Sequence, residues 1–143
     1  MFKLLTLDSN VFISETKGDE EYSDRCGEII EQVGQKFLLA EPTILLAEIG
    51  NAIARNISIE VAEERIEEVE SMVSFFALCD TEICKRAGIT GAKYNIYSAD
   101  SLYLQAALDN SSVLVSLDEG IVLEVKDKGL PIETYHPKEF PYL

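Results

Sequence analysis

The sequence predicts an α/β protein of three layers, α/β/α, around a central, mainly parallel sheet of four to five strands. Three observations carry that expectation. Leu4, Leu5 and Leu7 form a short, nearly continuous apolar run, the pattern of a strand buried on both faces. A second run at 112–118, SVLVSLD, repeats the order of the first: apolar strand, then aspartate. Around them short apolar runs alternate with segments of helical periodicity, which implies parallel pairing through right-handed crossovers.

The elements follow in order. The first strand stops at Asp8, and Ser9 and Asn10 follow before apolar residues resume. Asp, Ser and Asn are common turn and N-cap residues, so Asp8 reads locally as a cap. It also stands at the carboxyl end of a buried strand, where open α/β sheets place ligands. A helix is predicted over about 19–34, with Tyr22, Cys26, Ile29, Ile30 and Val33 on one face. Residues 37–40 form a second strand. Pro42 and Thr43 open a helix reaching about Asn56, apolar over much of its girth, with Glu48 and Asn51 within or beside that apolar surface.

Ser58 caps the next helix, Ile59 to about Phe75, in which Ile59, Ala62, Ile66, Val69 and Val73 step by three and four. This seam is read as packing on the domain's own core, with a dimer or partner surface as the alternative. Residues 75–79 are a third strand or the end of that helix. Asp80 and Thr81 cap a helix that breaks near Gly88 or Gly91. Ser98 opens another, SADSLYLQAALDN, with Asp100 in its first turn. After the strand at 112–118, Glu119 to Lys128 is helical and stops at Gly129, and 132–135 is the last strand.

At 143 residues and 47% hydrophobic content, the chain is expected to be one domain, 1–143, with a real core and no extended disorder. No apolar run approaches membrane-spanning length, and the N-terminal run ends too early for a signal sequence. A cytoplasmic protein with no membrane partner is expected. The three cysteines lack metal-site spacing and read as small buried hydrophobes. The single histidine, His136, reads as a surface or tail residue, which leaves a histidine-based mechanism little support.

The net charge is −14, which argues against a polyanionic partner. Its distribution softens that objection. Residues 15–31 and 59–74 together supply −10, whereas 84–95 hold Lys85, Arg86 and Lys93 and no acid, so a locally basic rim is possible.

Asp8 and Asp118 both end apolar strands, and in a parallel sheet those ends share one edge. Glu48 lies beside the apolar face of a core helix, and Asp100 opens a helix whose other inward positions are apolar. Buried carboxylates are unfavourable by several kcal/mol unless compensated, and several together repel one another. A divalent cation answers both problems, and carboxylates with water are the ligands of Mg²⁺ and Mn²⁺. Asn10 and Ser116, each two residues from an Asp, and Asn51, one turn from Glu48, are supporting candidates that would orient carboxylates or water.

Four segments, LLTLDSNVF at 4–12, LLAEIGNAI at 45–53, SADSLYLQAA at 98–107 and LVSLD at 114–118, follow in order along nearly the whole chain. Together they resemble the PIN domain family, most of all its small single-domain toxin nucleases of VapBC toxin–antitoxin pairs. The family's acidic quartet falls on Asp8, Glu48, Asp100 and Asp118, and its supporting polar residues on Ser9 or Asn10 and on Ser116. The resemblance implies a PIN-like fold and a Mg²⁺- or Mn²⁺-dependent ribonuclease. One or two metals would activate water and stabilise charge on the phosphate, leaving a 3′-hydroxyl and a 5′-phosphate. Asp8, Asp100 and Asp118 would be ligands, and Glu48 a ligand or an orienting base. Lys85, Arg86 and Lys93 are candidates for phosphate contact, and Arg55 for contact with RNA or an antitoxin. Such toxins resemble homodimers neutralised by a small cognate antitoxin, whose basic segment the net negative charge would suit. The departure from the family pattern is that strongly acidic total.

Two alternatives stand beside this reading. A phosphatase of the haloacid dehalogenase kind also starts with an apolar strand ending in Asp, but needs an acid two residues on, where this chain has Asn10, a poor proton donor. A non-catalytic PIN-like binding or scaffold protein would suit the acidic surface but leaves four retained acids without a use.

Overall fold

Five strands, β1 (Lys3–Leu7), β2 (Phe37–Pro42), β3 (Val73–Ala77), β4 (Val113–Val115) and β5 (Thr134–Tyr135), form one sheet in the order β3-β2-β1-β4-β5, every pair parallel. The computed structural model describes residues 2–143. Between the strands run α1 (Ser9–Lys17), α2 (Ser23–Glu31), α3 (Ile44–Asn56), α4 (Ile59–Met72), α5 (Thr81–Tyr94), α6 (Ser98–Asn110) and α7 (Glu119–Asp127). The chain lays β2 and β3 outward on one side of β1, then returns to place β4 and β5 on the other. Right-handed crossovers put α1–α4 on one face and α5–α7 on the other, which gives the three-layer α/β/α architecture.

That winding makes the β1/β4 pair the point where strand order reverses, and the crevice outside such a point is where open sheets bind ligands. The register is level there: Leu5, Thr6 and Leu7 pair with Val113, Leu114 and Val115. The Asp8 backbone N–H donates to Val115 O at 2.9 Å, so the residues following the two strands start side by side. Leu5, Leu7, Leu39, Leu114 and Val115 are essentially inaccessible to water. They are apolar on both faces of the sheet because both faces are covered.

Several local expectations change. Ser9–Lys17 is a helix rather than a turn. Its nine residues include the β-branched Val11, Ile13 and Thr16 and have no side-chain cap, so local propensity is weak, and burial of Val11 and Phe12 makes the helix. The segment predicted as helix over 19–34 is helical only at Ser23–Glu31. Before it, Ser23 Oγ accepts from the Glu20 N–H at 3.0 Å and donates to Ser14 O at 2.7 Å, a turn in place of the first helical residues. Pro42 ends β2 instead of opening α3, and the Thr43 N–H donates to Ala77 O.

Helix α4 stops at Met72, and Val73 begins the third strand as an edge beside β2. Its seam packs on the chain's own α3, as expected: Ala62 and Val69 are buried, and a Cβ at Gly50 would meet Ile66 Cδ1 at 2.7 Å. Ile59 stays outside the seam, exposed. Helix α5 runs unbroken through Gly88 and Gly91. Gly91 serves a close approach, because a Cβ there would lie 2.6 Å from Ile96 O and 2.9 Å from Ser101 Cβ.

His136 is buried, not a surface residue. Its Nδ1 accepts from the Lys138 N–H, and its ring meets Tyr22 edge-on at 4.6 Å. Arg25 pins this C-terminal segment through Pro137 O and Phe140 O. Of the cysteines only Cys26 is fully buried, while Cys84 is exposed. Among the described residues no helix is long and apolar enough to cross a membrane.

Candidate active site

Asp8 occupies the position before α1, yet its side chain makes no cap hydrogen bond. The carboxylate instead accepts from Ser116 Oγ at 2.8 Å and from Asn10 Nδ2 at 3.3 Å. Asn10 Oδ1 in turn accepts from the Leu117 N–H at 3.1 Å, and Ser116 Oγ from the Asp118 N–H at 3.0 Å. One small network therefore ties the end of β1 to the β4–α7 connection. Asp8 is 4% exposed. Burial pushes its pKa up to about 7; Ser116 opposes the shift, and the charges of Asp100 and Glu48 add to it.

Glu48, half-buried on α3, accepts at Oε1 from the Tyr103 hydroxyl at 2.5 Å. Tyr103 lies three residues after Asp100 on α6, so it presents to the same side of that helix as the aspartate. Burial first, then Glu48, holds its phenol well above the usual range. Asp100, half-buried, is also raised, by burial and then by the charges of Asp118 and Glu48. Asp118 is exposed at the start of α7, where Oδ1 caps the helix through the Gly120 and Ile121 N–H groups. Its Oδ2 accepts no hydrogen bond from the described residues. Asp100 and Asp118 share a hollow of about 200 Å³, and Asp118 also borders a larger one of about 680 Å³ with Glu20, Glu119 and His136.

Asn51 is exposed and lines a hollow with Glu48 and Ser9 without a hydrogen bond to either. Ser9 Oγ stands 3.5 Å from Asp8 Oδ1, the limit of a hydrogen bond.

Sequence reasoning missed Glu41. It is the next-to-last residue of β2, is 0% exposed, and accepts the Leu7 N–H on Oε2 at 2.8 Å while Oε1 has no partner. Burial and then Asp8 hold it well above the ordinary carboxylate range; the Leu7 N–H opposes them. The signal was present: an acid at the end of an apolar strand, as at Asp8. Sequence reasoning also gave Tyr103 no role, although its hydroxyl donates to Glu48.

The basic candidates divide. Arg86 is committed, with Nε on Glu82 at 2.5 Å and both terminal nitrogens on Asp109 at 2.9 Å. This candidate for phosphate contact thus has its donors engaged in a bidentate pair that joins α5 to α6. The pairs Arg86–Asp109 and Thr90–Gln105 and the approach of Gly91 to Ser101 make α5 and α6 antiparallel. Lys85 and Arg86 therefore lie toward the far end of this hairpin from Asp100, and Lys93 toward the near end. Lys85, Lys93 and Arg55 are exposed, with no ion-pair partner among the described residues.

None of the four acids has a cationic partner among the described residues. No three His, Cys, Asp or Glu side chains there already close on one point as a finished ion cage. The donor set nevertheless suits a hard divalent cation: oxygen ligands, a free Asp118 Oδ2, and repulsion that only positive charge or protons can relieve.

The PIN domain family model matches residues 5–127. Among solved structures, VapBC2 from Rickettsia felis bound to a DNA fragment from their promoter is similar at 14% identity and TM-score 0.68, over 93% of this chain and 98% of that one. VapBC-1 from nontypeable Haemophilus influenzae gives 19% and 0.66, over 95% and 99%. FitAcB from Neisseria gonorrhoeae gives 17% and 0.64, over 96% and 99%. No curated protein has significant sequence similarity to the chain.

Proposed function

Because the chain belongs to the PIN domain family, we propose that it is a metal-dependent endoribonuclease, the toxin of a type II toxin–antitoxin pair, with Asp8, Glu48, Asp100 and Asp118 as its catalytic acids and the holders of Mg²⁺ or Mn²⁺. The observation that carries the reading is Asp8: a buried carboxylate at the sheet's reversal point, raised to about 7, beside other acids that also act on it.

A divalent cation bound there supplies Lewis-acid activation of water and stabilises charge on the phosphate and the leaving oxygen. The chain's own residues do the positioning. Ser116 and Asn10 hold the Asp8 carboxylate in one orientation. Tyr103 fixes Glu48 through Oε1, which leaves Oε2 to orient a water or take its proton. Asp118 caps α7 through Oδ1 alone, which leaves Oδ2 available to a cation. Lys93 is the basic residue best placed for phosphate, with Arg55 and Lys85 available to a longer RNA or to a partner.

Structural neighbours that are VapBC complexes support a cognate antitoxin as partner, and an acidic chain suits a basic inhibitory segment. A cytoplasmic homodimer completes the reading. The test is incubation of the purified protein with single-stranded and structured RNA in Mn²⁺, in Mg²⁺ and in excess EDTA. Cutting only with metal, giving 5′-phosphate ends, is expected; undiminished cutting in EDTA overturns the proposal.

A further inference from the structure

Tyr97 is 88% exposed, the most exposed of the large hydrophobic side chains among the described residues. Its backbone is nonetheless firmly held. Tyr97 O accepts from the Ser101 N–H at 2.8 Å as α6 begins. Next to it Ile96 is buried, and the Ile96 N–H donates to Gly91 O at 2.9 Å. Gly91 allows this close approach, since a Cβ there would lie 2.6 Å from Ile96 O. The ring thus stands on a hydrogen-bonded corner, with no aromatic neighbour and no hydrogen bond to its hydroxyl among the described residues.

Its position gives it a use. Tyr97, Asp100 and Asp118 line one hollow of about 200 Å³, so Tyr97 stands at the edge of a site that holds two of the four acids. Charge adds a second argument. The chain carries −14, and most of its cations are spent in ion pairs. Phosphate contacts alone give such a surface little hold on a polyanion. Stacking of a base on an aromatic face needs no charge and accepts any base.

We propose that Tyr97 is the stacking platform for a nucleobase flanking the phosphate cut at Asp100 and Asp118, so that the site takes unpaired rather than duplex RNA. The inference rests on the nuclease reading above. It is tested by steady-state cleavage of a synthetic ten-nucleotide single-stranded RNA in Mn²⁺. Tyr97→Ala and Tyr97→Leu raise KM by roughly 5- to 150-fold, the worth of one base stack, with a far smaller change in kcat. Tyr97→Phe, which keeps the ring, restores KM to near the wild-type value. The Mn²⁺-induced rise in Tm is the same in all, which shows that the acids are undisturbed.

An abasic sugar at one position beside the cut weakens the wild type and leaves Tyr97→Ala unaffected. Unchanged KM in Tyr97→Ala and Tyr97→Leu, or an equal loss for every abasic substrate, overturns the stacking role while the nuclease reading survives. A Tyr97→Ala protein that cuts normally but no longer self-associates assigns the ring to a second copy and also overturns it. A wild type that cuts no RNA in any metal removes both.

Discussion

The Ser116 hydroxyl donates to Asp8 Oδ2 across 2.8 Å, joining residues 108 positions apart at the ends of β4 and β1. It is the main contact that lowers the Asp8 pKa against burial and two neighbouring acids, with the Ser9 backbone N–H a smaller one. Ser116→Ala removes it and leaves a buried carboxylate oxygen with only the weaker Asn10 donor. The expected result is a loss of about 1–3 kcal/mol at pH 8, read by urea unfolding, with a smaller loss at pH 5, where Asp8 is protonated.

The same group fixes the pH dependence of the metal-free protein. The folded-state pKa of Asp8, about 7, lies above its ordinary value of 3.8. Between those values the folded state binds the extra proton, so stability falls as pH rises through that window. Asp100 and Glu41 shift in the same direction. In EDTA the Tm should decline from pH 5 to pH 8. Asp8→Asn should flatten part of that decline, and saturating Mn²⁺ should reverse it, because the cation takes the place of the protons. A metal-free Tm that climbs toward pH 8 contradicts the assignment.

Tyr103 holds Glu48 through a single phenolic hydrogen bond. Tyr103→Phe keeps the buried ring and deletes the donor. Turnover or Mn²⁺ affinity should drop by roughly 10- to 100-fold, with the fold retained by circular dichroism. Wild-type kinetics in this variant would show that Glu48 needs no orienting partner.

Glu41 offers the opposite kind of test. Gln at this position still accepts the Leu7 N–H and cannot carry the buried charge left with one unpartnered oxygen. Glu41→Gln should melt above the wild type at pH 8 without metal, and the gap should close by pH 5. Glu41→Ala, which strips the Leu7 N–H of its acceptor, should melt below the wild type at both.

Glu41 and Asp8 also mark what the sequence made legible. Apolar runs buried on both faces announced a parallel sheet, and an Asp after each of two such runs announced a shared edge. Glu41 obeys the same rule, but Pro42 after it reads as a helix opening and draws attention away from the strand end. Helix α1 was hidden because tertiary burial of Val11 and Phe12, not propensity, makes it. The commitment of Arg86 to Asp109 depends on how α5 lies against α6. The exposure of Tyr97 depends on a corner set by Gly91 and Ile96, and neither arrangement leaves a periodic trace.

The most direct test of the central claim, that these acids hold a divalent cation, is a crystal soaked in Mn²⁺ and measured at the manganese absorption edge. The account predicts an anomalous peak among the oxygens of Asp8, Asp100 and Asp118, absent from crystals of Asp8→Asn. Crystals showing no manganese there, or the same peak in the Asn variant, would contradict it.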